Sequence, residues 1–94
     1  MSNYMDLGDA IDAFLNKHGL KDEADIQRII NNWESLMGKP IAQNTEKLWL
    51  NKSVFYIKVK SPVWKSELKM ARMKIRSMIN EQVGRELVNE VRVL

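Results

Sequence analysis

The spacing of apolar residues divides the chain into three regions. It is helical over the first 37 residues, alternating between residues 47 and 60, and helical again from residue 61. Leu7, Ile11, Phe14, Leu15 and His18 share one face, which predicts a helix over about 6–18. Asp6 stands at its cap, Asp9 lies in the first turn, and Gly19 follows as a stop. Ile26, Ile29, Ile30, Trp33, Leu36 and Met37 form the stripe of a second helix over about 23–37, with Asp22 as its cap. Gly38 ends that helix, and Pro40 discourages continuation.

The period then changes to two. "KLWLN" (47–51) and "VFYIKVK" (54–60) read as strands joined by a short turn at Asn51–Lys52–Ser53, which lacks the Asn-Gly or Asp-Gly of a favoured hairpin. Leu48, Leu50, Phe55, Ile57 and Val59 share the apolar face; Lys47, Trp49, Tyr56, Lys58 and Lys60 share the other. Ser61 caps and Pro62 opens one long helix over 61–84, with Trp64, Leu68, Ala71, Ile75, Met78 and Ile79 as its buried stripe and Gly84 as its end. "LVNEVRVL" closes the chain as a third strand, Val91 and Val93 inward and Arg92 outward. The expectation is a single α+β domain over 1–94, in two layers, with element order α-α-β-β-α-β and helices packed on one face of a three-stranded sheet.

Composition removes several function classes. The 94 residues include no cysteine and one histidine, so disulfides, thiolate metal sites and a cysteine nucleophile are excluded together. His18, at a helix end, suits the dipole rather than catalysis. Glu67 and Glu81 lie on the solvent side of one helix, four turns apart, a poor acid–base pair. The chain contains no phosphate loop and no metal-ligand set, so neither enzyme activity nor a cofactor is expected. The acidic N-terminal stretch does not read as a signal peptide, and no apolar run reaches membrane-span length. A soluble cytoplasmic protein is expected, without membrane association.

Charge adds direction. Residues 1–37 hold seven acids and three bases, whereas residues 38–94 hold twelve bases and five acids. In an unbroken helix Lys65, Lys69, Arg72 and Arg76 fall within about 60° of one another and form a stripe beside the core face. Such a stripe suits a phosphate backbone, or else it is a solvated face whose alkyl stems cover the core edge. Lys74 falls apart from it, near Glu67 and Glu81. The outer sheet face, with Trp49 and Tyr56 among Lys47, Lys58, Lys60 and Arg92, suits single-stranded nucleic acid, unless the rings are covered by the N-terminal helix or another subunit. Met70 and Met73 lie off the buried stripe and, with Glu67, offer a surface for a protein partner.

Taken together, Trp33, Gly38, Ile41, Ala42, Thr45, the 54–61 strand, Ser61-x-x-Trp64-x-x-Glu67-Leu68, Gly84 and the terminal strand resemble the DciA-like family of bacterial proteins, which long carried only an unknown-function label. The resemblance covers about residues 31–94, with the first helix agreeing in type. It implies a KH-like fold, affinity for DNA and a role in assisting or loading the hexameric replicative helicase during DNA replication. Two departures stand out. The sequence has no Gly-x-x-Gly loop, the usual KH clamp on nucleic-acid backbone, and some relatives carry a tail beyond the domain. The leading expectation is a non-enzymatic adaptor that binds single- or double-stranded DNA and the replicative helicase. The alternatives are a protein-interaction module without nucleic-acid affinity and an RNA-binding KH-like domain. The sequence leaves the oligomeric state open.

Overall fold

The computed structural model describes residues 6–94. Its elements are α1 (Leu7–Lys17), α2 (Lys21–Asn31), α3 (Trp33–Met37), α4 (Lys39–Asn44), β1 (Thr45–Asn51), β2 (Val54–Val59), α5 (Pro62–Met70), α6 (Arg72–Val83) and β3 (Glu90–Val93). β2 is the central strand, antiparallel to β1 and parallel to β3. The expected α+β order holds, with the second and third helices each divided at one residue and a short helix added before the sheet.

A parallel neighbour requires a crossover, and α5–α6 supplies it. Its helices lie on the face of the sheet that carries Phe55, Ile57, Val91 and Val93, and there Leu68, Ile75 and Ile79 are buried. Ile26, Ile29 and Trp33 complete this core from α2 and α3, the Trp33 ring lying 5.8 Å from that of Phe55. The indole N–H of Trp33 donates to Thr45 Oγ1 (3.0 Å), whose hydroxyl donates to the Ile41 carbonyl (2.7 Å). A buried polar atom is thereby satisfied, and α3, α4 and β1 are joined.

Four local expectations are corrected. The helix expected over 23–37 begins at Lys21 and breaks at Asn32, whose backbone (φ −107°, ψ 16°) is not helical. Asp22 is therefore not its cap but lies in its first turn. Gly38 ends the helix as expected, turning the chain at φ +93°, but helical structure resumes beyond it: Pro40, with φ fixed and no N–H to satisfy, sits in the first turn of α4. The long helix 61–84 breaks at Ala71 (φ −94°, ψ 6°), although alanine is the best helix former. The Ala71 N–H is shared between the Glu67 and Leu68 carbonyls, and the Lys69 carbonyl is taken by the Arg72 guanidinium at 2.9 Å. Packing imposes this bend: α5 meets β2 and β3, α6 meets β3 and α2, and half-buried Ala71 packs against the core between them.

The first helix forms as its cap predicts, with the Asp9 N–H donating to Asp6 Oδ1 (2.8 Å). Its apolar face nevertheless stays in solvent. Leu7, Ile11 and Phe14 are 77, 48 and 57% exposed, and no residue of α1 is buried. His18 sits at the C-cap, its ring 4.3 Å from Phe14.

Two features fix how β3 is delivered. Asn80, buried on α6, clamps one residue: its amide donates to the Val88 carbonyl (2.9 Å) and accepts from the Val88 N–H (2.8 Å). The β1–β2 hairpin turns through Lys52 and Ser53 at φ +50° and +66°, a conformation that suits Asn-Gly, and the Ser53 carbonyl accepts from the Asn89 N–H at 2.8 Å. Asn80→Ala should destabilise the domain by about 2–3 kcal/mol in urea unfolding, because both Val88 groups lose their partner in the interior. Replacing Lys52–Ser53 by Asn-Gly should stabilise it by about 1 kcal/mol, since left-handed backbone penalises a Cβ; a rise of about 4–8 °C in Tm would report it.

Candidate nucleic-acid interface

The outer face of the sheet is the side away from the helical core. Register places Trp49 opposite Tyr56, Tyr56 beside Arg92, and Lys47 opposite Lys58. Trp49 and Tyr56 stack face to face, with centroids 5.0 Å apart and planes 7° from parallel. The Lys47 ammonium lies over Trp49 (5.1 Å) and the Arg92 guanidinium over Tyr56 (6.0 Å). Helix α1, which could have covered this face, packs on α2 instead, and each ring is half-buried. The rings and cations thus form one row across the sheet, in which every ring face already has a neighbour. A base can add to the row only by displacing a flexible cation such as Lys47, whose exposed cation–π contact is worth about 0.5–1 kcal/mol.

Like charges opposite one another on a sheet are unfavourable, and Lys47–Lys58 is such a pair. A bulge relieves it in part. The register shifts between Thr45 and Lys47, and Glu46 approaches Lys58 at 3.4 Å. Lys60, at the end of β2, donates to the Gln43 carbonyl at 3.5 Å. Arg92 is paired with Glu90 at 2.7 Å, and this hydrogen bond is the main cause of its raised pKa.

The helical cations lie on the other layer. The break at Ala71 places Lys65 and Lys69 on α5 and Arg72 and Arg76 on α6. Lys65, Lys69 and Arg72 have no acidic partner within 4.0 Å among the described residues, and neither do Lys74 and Glu67. Arg76 is half-buried, reaches toward Glu86 (3.8 Å) and holds its Nε away from solvent without a hydrogen-bond partner. Of the four expected stripe cations, Lys69 and Arg72 are therefore exposed and Lys65 half-buried, all three without an acidic partner among the described residues, and Arg76 turns toward the loop before β3. Met70 and Met73, 75 and 64% exposed, flank the break. The structure does not merge helical cations and sheet face into one plane; Lys58, Lys60 and Lys65 link them where β2 runs into α5.

One charged cluster was not visible in the sequence. Asp25 is 3% exposed, and Lys21 (3.6 Å), Arg28 (3.3 Å) and Arg85 (2.8 Å) converge on it. Arg85 also binds Asp22 at 2.6 Å; that hydrogen bond first, then the one to Asp25, raises its pKa. The partners lie 60 and 63 residues apart, so no local pattern announces them. A buried carboxylate needs such partners, and their effect is to hold α2 to the end of α6. A groove of about 430 Å³ runs beside them, lined by Asp25, Ile29, Leu36 and Val83 among others. Among the described residues, no group of three or more His, Cys, Asp or Glu could hold a metal ion, and no helix is long and apolar enough to cross a membrane.

Fold and surface together define a small α+β domain with an aromatic, cationic sheet face and a basic helical layer. A family model described as "Dna[CI] antecedent, DciA" matches residues 6–93, and the chain belongs to that family. It is also similar to a UPF0232 protein of Corynebacterium glutamicum (strain R), 28% identical over 87 residues that cover 93% of this chain and 49% of the relative. The chain thus spans about half the length of the curated relative it matches. No solved structure matches it.

The ring stack should be measurable as a coupling. In a double-mutant cycle of Trp49→Ala and Tyr56→Ala, unfolding should show about 0.5–1.5 kcal/mol of interaction beyond the two single losses.

Proposed function

We propose that this chain is a non-enzymatic, cytoplasmic adaptor that binds nucleic acid, DNA foremost, and assists the loading or operation of the hexameric replicative helicase. Family membership supports the helicase role. The observation that carries nucleic-acid binding is the surface of α5 and the start of α6, where Lys65, Lys69 and Arg72 stand exposed or half-buried without acidic partners, whereas Lys21, Arg28, Arg85 and Arg92 are each neutralised by neighbours. Unpaired cations held by a rigid element suit phosphates, whose condensed counterions are released on contact. Lys58, Lys60, Trp49 and Tyr56 extend the contact along the sheet, where a single strand can lay bases against the ring row. Neither group carries a base-reading arrangement, so binding is largely independent of sequence.

A second surface belongs to the protein partner. Glu67, Met70 and Met73 are exposed on the same helices, and exposed methionines adapt to a partner's shape. They give the helicase a place to dock beside the phosphate contacts.

The test is a titration of labelled single-stranded DNA at several salt concentrations. Lys65→Ala/Lys69→Ala/Arg72→Ala together should reduce the log–log salt slope by up to about 0.7 per lost contact, while Arg76→Ala alone should change it little. An unchanged slope in the triple variant removes these residues from the interface. Co-purification with the helicase that survives the triple variant, with no DNA binding near physiological salt, favours the protein-interaction module. A preference for RNA in competition favours the RNA-binding alternative.

A further inference from the structure

One exposed apolar cluster belongs to a helix that contributes nothing to the core. Leu7, Ile11 and Phe14 lie within about 60° of one another around α1, and all three stand in solvent. The other side of α1 is already used. Leu15 is half-buried and Asp12 binds Lys21 at 3.0 Å, which fixes α1 against α2 and turns the apolar stripe outward. Among the described residues no element packs on this stripe, so α1 presents an apolar face that the described chain does not cover.

We infer that this surface is α1 of a second copy, packed antiparallel about a two-fold axis through Ile11. The charge pattern selects this occupant. Asp6 and Lys17 lie about 20° apart around the helix, on one flank of the apolar stripe, at opposite ends. In an antiparallel pair like flanks face each other, so Asp6 of each copy meets Lys17 of the other, twice over, as an isologous interface requires. Asp6 and Lys17 form no ion pair among the described residues. In the same alignment Ile11 packs on Ile11 of the second copy, and Leu7 on Phe14. A parallel pair would bring unlike flanks together and leave Asp6 and Lys17 of each copy without a partner on the other.

Area sets the strength. Two helices of 11 residues bury on the order of 600 Å² together, below the ~1,000 Å² of a stable specific interface. The dimer is weak and reversible, with a Kd on the order of 100 µM. This inference goes beyond the proposed function and does not rest on it.

The test uses the whole chain, without nucleic acid or helicase. Sedimentation equilibrium from about 1 µM to 1 mM should show a monomer–dimer equilibrium, weakened about tenfold by Phe14→Ser. Lys17→Glu should weaken it comparably by setting two acids against each other. Asp6→Asn, which retains the capping oxygen, should weaken the native dimer yet strengthen the Lys17→Glu one. That reversal of sign marks a direct pair. Because the chain has no cysteine, oxidation of single-cysteine variants gives a second readout: Ile11→Cys should cross-link and Leu7→Cys should not. None of these positions is buried, so circular dichroism should stay native. A monomer at every concentration overturns the inference. So does a dimer indifferent to Phe14 and Lys17, or one in which Leu7→Cys cross-links as well as Ile11→Cys. If helicase capture fails with Phe14→Ser while the chain stays monomeric, a partner protein occupies the stripe instead.

Discussion

The parallel pairing of β3 with β2 is the constraint on which the other elements depend. Val91 and Val93 must lie beside Phe55 and Ile57 in register, and antiparallel hairpin chemistry cannot deliver them. The chain has to leave the end of β2, travel the length of the sheet and return to its start. The α5–α6 crossover makes that journey, and its bend at Ala71 lets one face of it follow the sheet while the far end reaches α2. Asn80 then fixes the residue at which the return becomes a strand. Its amide satisfies both backbone groups of Val88 in the interior, so the loop has one low-energy entry and the strand one register.

Electrostatics completes the closure. Asp25 and Arg85 lie 60 residues apart and join the α2 helix to the end of the crossover. Burial alone would make the Asp25 charge costly, whereas convergence of three cations on it makes the arrangement specific. This tether also draws Arg85 out of the pool of free cations. The distribution of positive charge over the surface is thus a consequence of the fold. Cations near acids are used internally, and those on the exposed sides of α5 and α6 remain for an external anion.

The two outer surfaces differ in kind. On the sheet, rings and cations already satisfy each other, so a ligand has to exchange one contact for another. On the helices, Lys65, Lys69 and Arg72 have no acidic partner among the described residues, so a phosphate would meet cations not already neutralised. Under the proposed function the helical surface would contribute more to affinity, and the ring row a preference for unpaired bases. Helix α1 carries an exposed apolar stripe and an opposite charge balance, which is unfavourable for phosphate.

Periodicity in the sequence was sufficient for the types of the longer elements, though not for the short α4, and for the three strands, the inward set Phe55, Ile57, Val91 and Val93, and the aromatic and cationic outer face. These follow from local rules: a strand alternates, a helix repeats every 3.6 residues, and Asp6, Ser61 and Gly84 mark termini by their own hydrogen bonding or backbone freedom. The combined pattern from Trp33 to the last strand was also enough to indicate the family. Tertiary structure decided the rest. Ala71 and Asn32 carry no breaking signal, because the breaks come from surfaces that the helices must meet. Arg76 differs from the other stripe cations because it is half-buried and the fold brings Glu86 within reach. The Asp25 cluster and the Asn80 clamp depend on residues that only the fold brings together. The exposure of Leu7, Ile11 and Phe14 was equally invisible, since an amphipathic pattern shows that a helix has an apolar face but not whether its own chain covers it.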